Sequence, residues 1–243
     1  MKKYFVIGNP IDHSLSPKLQ NWWLKENNID AMYDKIKLDD HEIENFIQDI
    51  KKQKIAGCNV TVPFKKTVIP FLDKLSPEAN QTQSVNTIIF DNGNLVGHNT
   101  DIAGFNTAIK KINFDIKGKK ILILGAGGVV PSIIFALKKM HVQEITISNR
   151  TRKKAENLKV LFNDLKILEW GNLIDFHMVI NATSLGLKNE KINLDFSSLG
   201  HDKLFYDVIY NPHETPFLKT GKQLGYMTEN GKTMFVYQAL EAF

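Results

Sequence analysis

The chain has 243 residues, is 43% hydrophobic and 23% charged, and carries a net charge of +5, so it can bury a sizeable core in one large or two modest domains. Its single cysteine, Cys58, excludes an intramolecular disulfide and fits a reducing compartment. No apolar run approaches the ~18 residues of a membrane span and no leader-like segment precedes the strand-like Tyr4-Phe-Val-Ile7, so a cytoplasmic protein with no membrane attachment is expected.

The first half alternates strand and helix. Lys3 to Ile7 reads as a strand, followed by the polar loop Gly8-Asn-Pro-Ile-Asp-His-Ser-Leu-Ser-Pro17. Ser16 is a suitable N-cap, with Pro17 at the first position of a helix reaching about Asn27. A strand over 33–38 and a helix over 39–53 follow, the helix with Ile43, Phe46, Ile47 and Ile50 on one face. Residues 57–62 form a third strand, and Pro63 is expected to open a helix with Lys65 and Lys66 in its first turn. Two short helical pieces lead to about Gln83. Strands over 85–90 and 95–98 flank Asp91-Asn-Gly-Asn94, a strong hairpin signal. Thr100 or Asp101 should cap a helix reaching about Ile112, the expected hinge between domains. The second half continues with strands over 121–124, 144–148, 166–168, 177–181 and 204–209. Its helices fall over 129–140, 152–163, about 216–225 and from 232 onward. The pattern is α/β throughout, with two domains facing each other across a cleft.

Ile121 to Leu124 is a continuous apolar run, as in a strand buried on both faces, and it leads into Gly125-Ala126-Gly127-Gly128 and then a helix from Val129. Such a turn lets the backbone approach a pyrophosphate, whose charge rests on the helix N-terminus. The usual third glycine would fall at position 130, where this chain has Val. The second strand ends in Asn149-Arg-Thr-Arg-Lys-Lys154, with no carboxylate between Glu144 and Glu156. Guanidinium and ammonium groups there suit a ribose 2′-phosphate, which a carboxylate would repel. Two charge-assisted contacts at about 1.5 kcal/mol each would favour NADP over NAD by roughly a hundredfold. This half is expected to bind NADP(H). The other basic residues are scattered, so nucleic-acid binding is not indicated.

In the first half, His13-Ser14-Leu15-Ser16 places two hydroxyls beside a helix N-terminus, a natural seat for a carboxylate. Asn59 and Thr61 share one face of a strand. Lys65 falls where a helix N-terminus would disfavour it, a local conflict of the kind functional sites show. Asn86 and Asn99 lie at hairpin ends and Asp101 just beyond. Each also fits an ordinary role as cap, turn residue or solvated charge, and spacing alone does not join them into one site.

The loop 8–17, Asn59-Val-Thr-Val-Pro-Phe-Lys65, Ser84-Val-Asn-Thr-Ile88, Gly97-His-Asn-Thr-Asp-Ile-Ala-Gly104, Gly125 to Gly128, Asn149-Arg-Thr151, Asn181-Ala-Thr-Ser-Leu-Gly186 and Met234-Phe-Val-Tyr-Gln238 resemble, in order, the blocks of the shikimate dehydrogenase family. The resemblance implies NADPH-dependent reduction of 3-dehydroshikimate to shikimate, on the route to chorismate and the aromatic amino acids. It implies a substrate-binding and catalytic domain over 1–101, completed by a C-terminal helix over 233–243, and a Rossmann-type NADP-binding domain over 102–232. Ser14, Ser16 and Thr61 would hold the substrate carboxylate and nearby hydroxyls, and Asn86, Asp101 and Gln238 the ring hydroxyls. Lys65 and Asp101 would be the catalytic pair. Gly125, Ala126, Gly127, Gly128 and Val129 would carry the pyrophosphate, and Asn149, Arg150, Thr151 and Lys154 the 2′-phosphate. Asn181 to Ser184, Thr183 included, would line the cofactor channel, with Asp207, Tyr210 and Gly231 near the nicotinamide. No metal is expected, and a homodimer is compatible with the sequence. The family commonly has His at position 20, small residues at 83–84 and Met at 187, where this chain has Gln20, Gln83-Ser84 and Leu187, and it usually continues about one helix beyond Phe243. Quinate or aminoshikimate oxidation by the same architecture, and a catalytically silent NADP sensor, are the competing readings. Retention of both Lys65 and Asp101 argues against the sensor.

Overall fold

The computed structural model describes all 243 residues. They form two compact units, Met1–Ile102 with Gln238–Phe243, and Ala103–Tyr237.

The first unit contains β1 (Lys2–Gly8), α1 (Ser16–Glu26), β2 (Ala31–Lys37), α2 (Ile43–Lys51), β3 (Gly57–Val60), β4 (Lys74–Leu75), α3 (Pro77–Thr82), β5 (Thr87–Asp91), β6 (Asn94–His98) and the start of α4 (Asp101–Lys111). Its sheet runs β2-β1-β3-β5-β6-β4. The central β1 pairs in parallel with β2 and β3, while β5 runs antiparallel to β3 and β6. The helical period of α2 buries Ile43, Phe46, Ile47 and Ile50 in a cluster with Ile7, Val60, Ile88 and Leu95. Asn92 and Gly93, at φ 47° and 79°, close the β5–β6 hairpin in the left-handed backbone that an Asn-Gly turn supplies. Gln20 lies buried and donates to the Ala239 carbonyl at 3.1 Å, tying α1 to the last segment of the chain.

Two expectations for this unit need correcting. Residues 62–68 are a succession of turns, not a helix. Pro70 has no N–H with which to continue an α-helical ladder, and Thr67, Val68 and Ile69 form a β-branched run that disfavours helix. Phe64 and Val68, 1% and 0% exposed, pin the turns to the core instead. At α1 the N-cap is Leu15, already in the right-handed helical region at φ −92° and ψ 0°, so Ser16 is the first helical residue rather than the cap.

The second unit holds the rest of α4, then β7 (Lys120–Leu124), α5 (Val130–Lys139), β8 (Glu144–Ser148), α6 (Arg152–Leu158), β9 (Lys166–Leu168), β10 (Met178–Asn181), β11 (Leu204–Asp207), α7 (Pro216–Gln223), β12 (Met227–Glu229) and most of α8 (Lys232–Ala242). The sheet order is β12-β11-β10-β7-β8-β9, every pair parallel. Counted within the unit this is 3-2-1-4-5-6, the doubly wound dinucleotide-binding order. Helix α6 ends at Leu158, short of the expected 163, and gives way to turns as far as Leu161. β-branched Val160 and the Asn163-Asp164 pair favour turn over helix there. Residues 182–203 contain no helix or strand. Phe196 anchors them, its ring 5.0 Å from Phe205, which also meets Phe217 at 5.0 Å and Tyr226 at 5.4 Å. No helix is long and apolar enough to cross a membrane.

Candidate active site

In the first unit the loops after β1 and β3 run side by side. Thr61 donates its N–H to the Ile7 carbonyl at 2.9 Å and Asn9 donates to Val62 at 3.0 Å. Lys65 follows at once, in the turns after β3, and is only 7% exposed; Asp101, opening α4, is 5% exposed. The Lys65 Nζ donates to Asp101 Oδ2 at 2.5 Å. The lysine therefore does not oppose a helix dipole, as its sequence position suggested. Its unusual feature is burial, which a lysine tolerates only with a partner.

The surrounding polar groups fix both members of the pair. The Lys65 carbonyl accepts from the Val85 N–H at 2.8 Å, and the Asp101 N–H donates to Asn99 Oδ1 at 3.1 Å. Asn99 in turn donates to Thr82 Oγ1 at 3.1 Å and the Ser84 carbonyl at 2.9 Å. Asn86, 3% exposed, donates to Asp101 Oδ1 at 3.0 Å and Thr100 Oγ1 at 2.9 Å, and reaches Gln238 Oε1 at 3.5 Å. Its own Oδ1 accepts from the Thr100 N–H at 2.8 Å. Lys65, Asn86, Asp101 and Gln238 are thus one network. Asp101 does not spend its carboxylate as a simple cap, since Lys65 and Asn86 take both oxygens. Ser14 and Ser16 are half-buried at the start of α1, where Ser14 Oγ accepts from the Ser16 N–H at 3.3 Å. The N-cap residue Leu15 makes no side-chain bond to that helix, and Thr61 is likewise half-buried. Gln83 closes α3 in the left-handed region at φ 48°, where glycine is least costly.

In the second unit the order of strands reverses between β7 and β10, and two turns meet there. Gly125 has φ 112°, and a Cβ on it would lie 2.6 Å from the Ala182 carbonyl oxygen. The fold itself therefore demands that glycine. Gly127 differs: its φ is not positive, and a Cβ would meet nothing closer than the Ala182 oxygen at 4.0 Å. No internal contact requires glycine at 127, so the exposed backbone there is open to a ligand. Val129 is the N-cap of α5 and no side chain caps this helix, which suits an anion at its N-terminus. Val130, in place of the third glycine, is fully buried.

Asn181 is also fully buried, which corrects its expected place in the channel lining. Its side chain builds the turn: Nδ2 donates to the Leu185 carbonyl at 3.0 Å and to both Asp207 oxygens at 3.1 Å. Its Oδ1 accepts from the Thr183 N–H and hydroxyl at 3.1 and 2.7 Å. Asp207 is equally inaccessible and accepts from Thr215 Oγ1 at 2.6 Å and the Ile209 N–H at 2.9 Å. Despite these donors, burial pushes its carboxyl from 3.8 up to about 6. Asp207 and Thr215 thus shape the 181–185 turn from behind. Tyr210 stacks on Phe235, centroids 4.3 Å apart, and Gly231 lets α8 begin against Val208, whose carbonyl oxygen would lie 2.1 Å from a Cβ.

The basic turn lies where expected, after β8. Asn149 shapes it by donating to the Thr151 carbonyl at 2.8 Å. Arg152 is occupied by Glu156 at 2.8 Å and by Glu169, so Arg150, Lys153 and Lys154, all exposed and without an ion pair, are its available cations. Sequence reasoning missed the buried supports Tyr33, Thr87 and Thr215 as a class, because nothing in local spacing shows that residues so far apart share hydrogen bonds; Asp207 it placed near the nicotinamide through the resemblance alone, without its role behind the 181–185 turn. Only the polar character of Asn59, which donates to Thr87 Oγ1 at 2.9 Å, was visible beforehand.

A parallel sheet in this order, with an uncapped helix and a glycine that no internal contact requires at its switch point, and exposed cations after β8, is the module of a dinucleotide-dependent oxidoreductase. Residues 6–88 match the description "Shikimate dehydrogenase substrate binding domain" and residues 106–185 "Shikimate / quinate 5-dehydrogenase". Over 245 aligned residues the chain is 57% identical to shikimate dehydrogenase (NADP(+)) of Pelagibacter ubique, covering all of this chain (100%) and 92% of that protein. The crystal structure of shikimate dehydrogenase from Aquifex aeolicus superimposes with a TM-score of 0.90 at 35% identity, over 100% of this chain and 91% of that one. The Thermus thermophilus enzyme in complex with NADP(H) and shikimate gives 0.90 at 30% identity, over 100% and 92%. The chain belongs to the shikimate dehydrogenase family, a family of NADP-dependent oxidoreductases.

Gly125→Ala should lower the unfolding free energy by at least about 2 kcal/mol, while Gly127→Ala should stay within about 0.5 kcal/mol of the parent. Denaturant unfolding of both variants checks this, and equal losses would contradict it. Asp207 has a second consequence. Its folded-state pKa is raised, so between pH 3.8 and about 6 the folded chain binds more protons than the unfolded one. Its contribution is fully present below that window and is lost as pH rises through it, by about 3 kcal/mol. The stability of the parent relative to Asp207→Asn should therefore fall between pH 4 and pH 7; a constant or growing difference would contradict the assignment.

Proposed function

We propose that the chain catalyses reversible, NADPH-dependent reduction of 3-dehydroshikimate to shikimate. The observation that carries this reading is the buried Lys65–Asp101 pair inside a network of hydroxyl and amide side chains. A polar six-membered ring bearing several hydroxyls needs such a lining, and a carboxylate needs donors like Ser14 and Ser16 at the start of α1 and Thr61 after β3. Asn86, Asp101 and Gln238 bind the ring hydroxyls. The first unit is the substrate and catalytic domain, and the second binds the cofactor.

NADPH, when bound, supplies the hydride for the ketone carbon. As that carbon is reduced its oxygen gathers negative charge, and the Lys65 ammonium donates a proton to it. In the reverse direction Lys65 takes the proton back. Asp101 braces the ammonium and, through its second oxygen, fixes which way the Asn86 amide is turned. Gly125 to Val129 receive the pyrophosphate, with the fit supported by the unrequired glycine at 127. Asn149, Arg150, Thr151 and Lys154 receive the 2′-phosphate, and Thr183, Tyr210 and Gly231 shape the nicotinamide end. The protein works in the cytoplasm, and a homodimer fits the reading. The shikimate/quinate breadth of the matched family leaves quinate as the alternative substrate to assay.

Loss of absorbance at the NADPH band with 3-dehydroshikimate tests the activity; oxidation only of quinate would replace the substrate, and no turnover would overturn the reading. In the same assay Lys65→Ala should lower kcat by roughly 10²–10⁴ with modest change in substrate KM. Arg150→Ala should raise the KM for NADPH about tenfold and leave that for NADH nearly unchanged. Full turnover by Lys65→Ala, or equal effects of Arg150→Ala on both cofactors, would remove the roles given to those residues.

A further inference from the structure

Behind Asn86 the network continues to a residue that the reaction itself never touches. Tyr33, on β2 and 6% exposed, donates its hydroxyl to Asn59 Oδ1 at 2.6 Å. Asn59 donates to Thr87 Oγ1 at 2.9 Å and to the Asn86 carbonyl at 3.2 Å. Thr87, 7% exposed, donates to Asn86 Oδ1 at 3.2 Å. Four side chains on three strands and the intervening loop therefore form one line from β2 to the substituents of the catalytic pair.

The direction of every proton in this line is set by groups that have no choice. The Asp101 carboxylate only accepts, so Asn86 must turn its amide hydrogens to it. The Thr100 N–H only donates, so it must meet Asn86 Oδ1. Thr87 consequently gives its proton to that oxygen and needs a donor for its own lone pair, which is Asn59 Nδ2. The Asn86 backbone carbonyl, again acceptor only, holds the second Asn59 hydrogen. Asn59 Oδ1 is then left as an acceptor, and Tyr33 fills it. Burial holds the Tyr33 phenol well above its ordinary pKa, with the nearby Cys58 adding to the effect, so it remains a donor at neutral pH.

We propose that Tyr33 is a positioning residue of the catalytic site, acting through Asn59 and Thr87 to hold Asn86 against Asp101. This rests on the shikimate dehydrogenase reading for its kinetic consequence, though not for its geometry. Without the phenol hydroxyl, Asn59 Oδ1 has no donor, and the Asn59 amide is held at one end only, by its bonds to the Asn86 carbonyl and Thr87 Oγ1, so its grip on Thr87 slackens. The disturbance reaches Asn86 as misorientation of a group that binds substrate. The cofactor unit takes no part.

The test is Tyr33→Phe, which keeps the ring in the core, beside Thr87→Val and Thr87→Ser. In unliganded, isotope-labelled protein the Asn86 side-chain amide resonances should shift or broaden in Tyr33→Phe and Thr87→Val, while those of Asn181 stay in place. Steady-state assays should show kcat/KM for shikimate falling about fivefold, the worth of one neutral hydrogen bond, with the KM for NADP+ unchanged. Thr87→Ser, which keeps the hydroxyl, should retain parental kinetics. Combining Tyr33→Phe with Thr87→Val should cost no more than either alone, because both cut the same line. Unmoved Asn86 resonances, multiplicative losses in the double variant, or an equal rise in the NADP+ KM would overturn the proposal. A parent protein inactive on shikimate would instead defeat the functional reading, with the resonance measurement still deciding the relay.

Discussion

A lysine and an aspartate held together out of water constrain everything around them. Desolvating two charges costs several kcal/mol each, and their attraction offsets that only when geometry is good and the remaining valences are filled. Here the Lys65–Asp101 contact is supported by Asn86 on the second carboxylate oxygen, Asn99 on the Asp101 backbone and Val85 on the Lys65 carbonyl. Those partners come from the segment just before β5 and the loop after β6, so the pair depends on the observed register of the sheet. The pair is poor evolutionary material for stability alone. It is suited to moving one proton at a defined place.

The second unit solves a different problem with the same means. Its parallel sheet brings the ends of β7 and β10 together, and Gly125 must be glycine for the two turns to pass. Asn181 then spends its whole side chain on the turn, and Asp207 with Thr215 hold Asn181 from the far side. These groups never need to meet a ligand to matter, since they decide where Thr183 and the backbone of 182–185 stand. A buried acid raised to about 6 by desolvation is the energetic cost of that rigidity.

Much of this was readable beforehand, for physical reasons that differ by element. The β7–glycine–α5 segment declares itself because burial on both faces leaves only apolar residues from Ile121 to Leu124, and the Asn92-Gly93 turn because few pairs accept two left-handed residues. The apolar period of α2 places all four of its core residues correctly. The turns after Pro63 were misread as a helix because Pro63 and two lysines look like a helix start, whereas Pro70 and a β-branched run prevent one. The short strands β4 and β12 escaped because two or three residues carry no period. Among the site residues, Lys65 drew notice through a supposed conflict with a helix dipole, when its actual mark is burial, which only the folded chain reveals. Tyr33 and Thr215 gave no signal, since a buried hydroxyl reads as ordinary until its partners are known.

The central claim is that Lys65 and Asp101 act as a unit on one proton. A double-mutant cycle on kcat at saturating substrate and cofactor, using Lys65→Met, Asp101→Asn and the double variant, tests it most directly. The account predicts that removing either group costs about as much as removing both, the three values agreeing within roughly threefold. Losses that multiply in the double variant would mean two independent contributions, and the pair would no longer be the catalytic element.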